Sequence, residues 1–531
     1  MSADFDQAIA AAYATEGAAL DLGRAVHDGT VHRDAAVRVP LATLNRHGLV
    51  AGATGTGKTK TLQLMTEQLS AAGVPVFVAD VKGDVSGLSV AGAPGGPAEK
   101  RMTDLGLPFA PAAFPVEFLA LGGIGPGVPV RANVSDFGPQ LLAKVLGANE
   151  TQEASLALVF HYADTKGLPL VDLADLRALL TFLDSDAGKA ELEGIGGLSS
   201  ATVGVLLRSL VGLETGGGTE FFGEPQLDVA DLLRLAPDGR GIVSCLELAA
   251  VQDKPVLWST ALMWLVAELF ESLPEAGDLP KPKLVFFLDE AHLLFADATK
   301  AFLESVARTV RLIRSKGVGV FFVTQQPTDV PDEVLGQLGM RVQHALRAFT
   351  PNDAKALRAT VSTYPRSDFY DLETLLTSMG TGEAAVTLLS ESGVPTPVAH
   401  TRLVAPASRM APADDVAGAA KASPLWAHYG ERTDPRSARE ILAARLDPAA
   451  AKDPTPAEPK PDAEPKPEPP LEHIPVPESM REPRRSRTRR RAPAPKESSP
   501  DGIGDFLNSR SGKALQKEIV RGVFGLLRKR L

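Results

Sequence analysis

Eight residues, Gly52-Ala53-Thr54-Gly55-Thr56-Gly57-Lys58-Thr59, constrain this chain more than any other stretch. They fit G-x-x-x-x-G-K-[ST] in full, with a short apolar run, Gly48–Ala51, before them and an amphipathic helical pattern over 58–72 behind. Glycine lets the backbone wrap a phosphate chain without Cβ clashes, so successive N–H groups and a helix N-terminus face the anion. Lys58 is placed to reach the β and γ phosphates, and Thr59 to set its hydroxyl on Mg²⁺. Gly52 to Thr59 are therefore the expected cradle for ATP with Mg²⁺. A Gly-rich turn without a ligand is the alternative, and the full match in a strand–loop–helix context weighs against it.

A loop of this kind needs a parallel sheet around it. The runs at 74–81 (VPVFVADV), 283–290 (KLVFFLDE) and 317–324 (GVGVFFVT) are short, continuous and rich in Val and Phe, as strands buried on both faces are. Helical patterns stand between them, as at 301–316, where Phe302, Val306, Val310 and Ile313 form one stripe. The fold class is α/β with a parallel sheet. Residues 135–275 read differently: helix-length amphipathic segments divided by Gly-rich turns, a mostly helical insertion between strands of one sheet. The expected division is a short N-terminal segment (1–45), a first part of the ATPase core (46–134), the insertion (135–275), a second part of the core (276–405), a Pro-rich charged linker (406–502) and a basic amphipathic helix (503–531).

Binding a nucleotide is not hydrolysing it. The strand 284–288 ends in Asp289-Glu290, which delivers one acid toward Mg²⁺ and a second that can polarise the attacking water. Strand 317–324 ends in Gln325, a neutral amide able to bond both γ-phosphate and water. Asp80, Lys82 and Asp84 end the second strand on the same edge; they either orient the site or form a solvated turn.

Composition narrows the setting. One cysteine, Cys245, excludes an internal disulfide framework and a Cys-based zinc cluster. The longest uncharged helix candidate, 255–267, falls short of the ~17–25 residues that span a bilayer. With acidic residues where a signal peptide needs positive charge, a cytoplasmic chain is expected. The net charge of −10 argues against a protein that simply coats nucleic acid, and it hides an asymmetry: residues 481–531 carry 15 Lys/Arg against 5 Asp/Glu, so residues 1–480 stand at −20. Fourteen prolines fall in 451–500, among Glu, Lys and Asp, the composition of an extended linker. Beyond it, Leu515, Ile519, Val523 and Leu527 share one helical face.

In order and spacing, GATGTGKT, LVFFLDEAH and VFFVTQQP resemble the HerA-type branch of the HerA/FtsK P-loop ATPases, and more closely the bacterial HerA C-terminal-like proteins. VADVKGDVSGL, NETQEASL, FFGEPQLD and VLGQLGMRVQHALRAFTPND carry the same likeness over about 44–404. The resemblance implies a RecA-like core, a homo-oligomeric, typically hexameric ring, hydrolysis of ATP between subunits and translocation on double-stranded DNA, a helicase-like motor. Archaeal relatives work with a nuclease docked on an N-terminal β-barrel; the P-loop here begins at Gly52, leaving too few residues for that barrel, so a nuclease partner is not expected. A ring ATPase needs a cation from the neighbouring subunit, and Arg341 and Arg347 are the first candidates, with Arg308, Arg311 and Arg314 second. The seven arginines in 481–491 either contact phosphate or form a solvated tail, and the likeness of EIVRGVFGLL to the family's C-terminus favours a subunit contact for the last helix. A nucleotide-dependent switch or assembly ATPase without processive movement fits the same motifs.

Overall fold

The computed structural model describes residues 2–277, 279–295, 300–390 and 393–446. The tail readings, most of the expected linker and the whole of the terminal helix, lie outside the described residues. Twelve strands form one sheet: β1 (Ala19–His27), β2 (Thr30–Pro40), β3 (Gly48–Ala51), β4 (Val76–Asp80), β5 (Val116–Leu121), β6 (Val128–Val130), β7 (Val243–Glu247), β8 (Leu284–Leu288), β9 (Val318–Thr324), β10 (Met340–Gln343), β11 (Glu383–Leu388) and β12 (Ala399–Leu403). Their spatial order is β2-β1-β12-β11-β10-β3-β9-β8-β4-β7-β5-β6. From β10 to β6 every neighbouring pair is parallel; from β10 back to β2 every pair is antiparallel.

The parallel block explains its own sequence. Successive side chains point to opposite faces, and here both faces are covered, so both must be apolar. Phe77 and Ala79, Phe286 and Leu288, and Val320 and Phe322 pack on one face; Val76 and Val78, Val285 and Phe287, and Phe321 and Val323 pack on the other. Ring pairs tie neighbouring strands together on each side, Phe77 to Phe286 at 4.7 Å and Phe287 to Phe321 at 5.2 Å. This is the RecA-like P-loop fold, and it brings the carboxyl ends of β3, β9, β8 and β4 side by side along one edge.

Within 135–275 the helices Pro139–Val145, Glu150–Lys166, Leu173–Asp184, Ser200–Leu213 and Pro255–Ser272 begin and end where local chemistry says they should. Reciprocal side-chain caps, Asn149 with Gln152 and Asp172 with Asp175, start two of them, and Gly167 in the left-handed conformation stops the first. One element differs from expectation. β7 returns from this region into the sheet, between β4 and β5, so the helical reading of 135–275 is corrected at 243–247. Five buried residues that include Ser244 and Glu247 give no periodic signal long enough to read. The N-terminal 1–45 is likewise more than a lead-in: helix Ser2–Ala12, β1 and β2 complete the antiparallel edge, where β2 buries only part of its length and alternation fades.

The linker expected from 406 is corrected too. Residues 406–446 fold onto the body through helices Val416–Ala422, Trp426–Tyr429 and Ala438–Leu446. The first turn of chain after β12 is strapped to the helix that follows the P-loop, Lys58–Ala71. Glu67 accepts from the backbone N–H of Ala407 (2.6 Å) and Ser408 (3.1 Å) and from the Ser408 hydroxyl (2.8 Å), while Gln63 donates to Ser408 Oγ (2.7 Å) and to the Arg409 carbonyl (2.9 Å). Proline and glycine here mark turns held by side chains, not a lack of structure.

Burial pushes the Glu67 carboxyl up to about 7 from its usual 4.5, although the hydrogen bonds it accepts work the other way. A raised acid favours the native state when protonated, so its contribution is full below about 4.5 and lost as pH rises through about 7. Glu67→Gln, a permanent copy of the protonated form, should therefore gain on the wild type by up to about 3 kcal/mol as pH goes from 4.5 to above 7. Denaturant unfolding of both chains across that range measures it; parallel curves would show that Glu67 does not titrate there.

Candidate active site

The P-loop leaves the end of β3 as a turn sewn to its neighbours. Gly52 donates its N–H to the Thr324 carbonyl of β9 (3.2 Å), Ala53 to the Ala345 carbonyl beyond β10 (2.8 Å), and the Thr56 carbonyl accepts from Gly382 N–H ahead of β11 (2.9 Å). Arg101 fixes that last support by donating to the carbonyls of Gly382 (3.0 Å) and Thr381 (2.9 Å). Gly52, at φ +155, lies so close to His344 that a Cβ there would stand 2.4 Å from the histidine Cβ. Gly57, at φ +115, opens the helix Lys58–Ala71. Both positions demand glycine for different reasons, one for space and one for backbone angle.

Beneath the loop, His344 is fully buried and pairs its Nε2 with Thr61 Oγ1 at 2.9 Å. Burial, with the Lys58 charge adding, pushes His344 down to about 4, so the ring stays neutral under the cradle. Lys58 itself is buried, and its ammonium donates to the carbonyls of Gly52 (2.7 Å) and Ala53 (3.2 Å). Thr54 and Gly55 are exposed at the rim, and Thr59 is half-buried on the first helical turn.

The acids stand across the same edge. Asp289 and Glu290 follow β8 and are both buried. Asp289 is pushed up to about 7 by burial, with the carboxylates of Glu290 and Asp80 adding to the effect. One of its oxygens, Oδ2, is buried without a hydrogen-bond partner among the described residues. A buried orphan carboxylate oxygen beside other acids suits a cation or its bound water. Asp80, Asp84 and Asp289 can bring ligand atoms within 4.8 Å of one another. Asp80 is already committed, however: it accepts from the N–H groups of Lys82 (3.1 Å), Gly83 (2.8 Å) and Val85 (2.8 Å) and so holds its own turn closed. The orphan oxygen and the neighbouring acids thus fit a hard cation on Asp289.

Glu290 sits at φ +47, the left-handed region in which a side chain of this size is uncommon. Its Oε1 is ion-paired with Lys82, and its Oε2 lies 3.1 Å from His292 Nδ1. Burial opposes its ionisation, but the Lys82 hydrogen bond and charge outweigh that and hold the carboxyl below its usual range. The charges of Lys58, Asp289 and Glu290 act on one another, which is what a single site requires. Next along the edge, Glu247 at the end of β7 is pushed up to about 7 by burial and by Asp80. No sequence motif marked Glu247 or Arg101, and His344 lies in a stretch that carries the family likeness without being singled out; each reaches this edge from a strand end or helix that holds no phosphate-loop signature of its own.

Gln325 is exposed at the end of β9, the strand beside β3. Arg341 donates to Thr363 and lies over the Tyr364 ring, 5.5 Å from its centroid, so it is occupied away from the P-loop. Arg347 donates to the Thr54 carbonyl at 3.2 Å, which puts it on the P-loop of its own chain. Arg308, Arg311 and Arg314 are exposed around the helix Lys300–Ile313.

A family model described as Helicase HerA-like C-terminal matches residues 26–530. The chain belongs to that family. As a member of the HerA-like P-loop ATPases it shares its fold with the bacterial conjugative coupling protein TrwB in a trigonal form with sulphate, at 16% identity and a TM-score of 0.50, over 77% of this chain and 93% of that one. TrwB with ADP and Mg²⁺ gives 16%, 0.49, 76% and 97%; VirB4 of Thermoanaerobacter pseudethanolicus gives 15%, 0.47, 73% and 97%. No curated protein matches the chain.

The position of Arg347 makes a sharp expectation for this HerA-like chain. Arg347→Ala should lower ATP turnover about tenfold or more, the scale of one charged hydrogen bond. Mixing it with Lys58→Ala subunits should restore nothing, because both defects lie in the same subunit's half of the site. Activity that rises above the sum of the two parents on mixing would return Arg347 to a neighbour's site.

Proposed function

We propose that the chain hydrolyses ATP and that it does so as a DNA-translocating motor built as a homo-oligomeric, hexameric ring in the cytoplasm. The observation that carries the hydrolytic reading is the juxtaposition at one sheet edge of the wrapped P-loop, the buried Lys58 ammonium and the acid pair Asp289-Glu290. Bound Mg²⁺–ATP would supply the phosphoanhydride and the cation that neutralises its charge. The cradle Gly52 to Thr59 binds and orients the phosphates, and Lys58 offsets the charge at their end. Thr59 and Asp289 hold the cation side. Glu290, buried and held ionised by Lys82, would receive the proton of the attacking water at Oε2, which lies 3.1 Å from His292 Nδ1. Gln325, exposed at the end of β9, would carry the state of the γ-phosphate into the turn that follows.

The motor reading draws on the family, whose description is that of a helicase. No helix among the described residues is long and apolar enough to cross a membrane. A second reading, a nucleotide-driven switch without movement on DNA, is favoured by the −20 charge of residues 1–480, which repels a polyanion everywhere but at a focused patch. Turnover measured with and without double-stranded DNA separates the two: stimulation by DNA supports the motor, and an unchanged rate supports the switch.

The site itself is tested by two substitutions. Lys58→Ala should abolish hydrolysis. Glu290→Gln should bind ATP as the wild type does but lose at least about a hundredfold in turnover, the usual worth of a positioned base. Wild-type turnover in Glu290→Gln would show that the base lies elsewhere.

A further inference from the structure

Lys82 is the charged side chain that the phosphate-binding signature does not account for. Its backbone is fixed: Asp80 gathers the N–H groups of Lys82, Gly83 and Val85, and Gly83 turns the chain at φ +73. That knot sits at the end of β4, the strand hydrogen-bonded to β8, so Lys82 is held over the acids that end β8. Its side chain is 46% exposed, while the Glu290 side chain it pairs with is 5% exposed. A buried carboxylate is therefore held by a cation that itself remains in reach of solvent.

Its partner also places Lys82 beside the proposed reaction. A general base contacts its proton donor directly or through one water. The water that Glu290 would activate must lie against the γ-phosphate, so a cation bonded to Glu290 is held by the side chain that faces those oxygens. The charges of Lys82 and Lys58 act on each other across the same gap. The lysine stem is long and its head is a rotatable point charge, suited to changing partners without backbone movement.

We propose that Lys82 is the γ-phosphate sensor of this site. With no γ-phosphate present it holds Glu290 by Oε1; with ATP bound its ammonium turns to the γ-phosphate oxygens and releases the carboxylate to the water. The inference rests on the ATPase reading and adds a regulatory residue to it. It makes the difference between ATP and ADP depend on a residue outside the P-loop.

The test is equilibrium binding of the full chain to ADP and to a non-hydrolysable ATP analogue, each with Mg²⁺, for wild type, Lys82→Met and Lys82→Arg. Lys82→Met should weaken the ATP analogue about ten- to a hundredfold, the range of a charge-assisted hydrogen bond, and leave ADP within about twofold. Lys82→Arg, which keeps charge and reach, should recover most of the preference. Lys82→Met leaves the buried Glu290 carboxylate without its cation, so its unfolding temperature should fall below that of the other two chains, and binding is compared at a temperature where all three are folded. If Lys82→Met weakens both nucleotides alike, or neither, the sensor assignment is wrong while the ATPase reading stands. If the wild type binds neither nucleotide, the ATPase reading fails and this inference falls with it.

Discussion

A loop that will wrap a highly charged ligand has to keep its shape when nothing is in it, and the chain solves this by backbone hydrogen bonding to the strands around it. Gly52, Ala53 and Thr56 are tied to the ends of β9, β10 and β11, three strands distant in sequence. Each tie satisfies a backbone group of the loop without using a side chain. The neutral His344 underneath completes the support without adding charge that would compete with Lys58. Binding then costs little reorganisation of the loop.

Electrostatics at the edge follow from the same economy of space. Asp80, Asp84, Glu247, Asp289 and Glu290 crowd the carboxyl ends of β4, β7 and β8, where a parallel sheet concentrates its functional groups. Like charges that close cannot all ionise, and burial raises the resistance further. The strain is divided unevenly. Asp289 and Glu247 are pushed up, whereas Glu290 is held down by Lys82, so neighbouring acids of similar chemistry acquire different tasks.

What could be read from sequence follows the strength of each local signal. The P-loop, β4, β8 and β9 were legible because a fixed motif or a run of Val and Phe needs no partner to be recognised. The helices of 139–272 were legible because their caps and periodicity are local as well. β7 was not, being five residues whose pairing with β4 and β5 is decided by strands more than a hundred positions away. The strap after β12 was misread as linker since its proline-rich composition says nothing about Glu67 and Gln63, which hold it. Lys82 could be placed at the right edge, but its choice between a solvated turn and the buried Glu290 carboxylate depended on the Asp80 knot. Arg347 shows the converse: the sequence singles out the charge, but its contact with the Thr54 carbonyl of its own chain appears only in the fold.

The strap has a consequence for how such a chain is made. Synthesis delivers the P-loop and its helix early, at 52–71, yet the ties that shape them come from 324, 345, 382 and 407–409. Contacts of such sequence separation must wait for most of the chain to leave the ribosome. During that interval Glu67 lacks the strap's N–H groups and hydroxyl, and the loop lacks its ties to 324, 345 and 382. A nascent chain of this design is therefore assembled without a competent nucleotide site until its last strands are in place, and the strap is the late step that seals it.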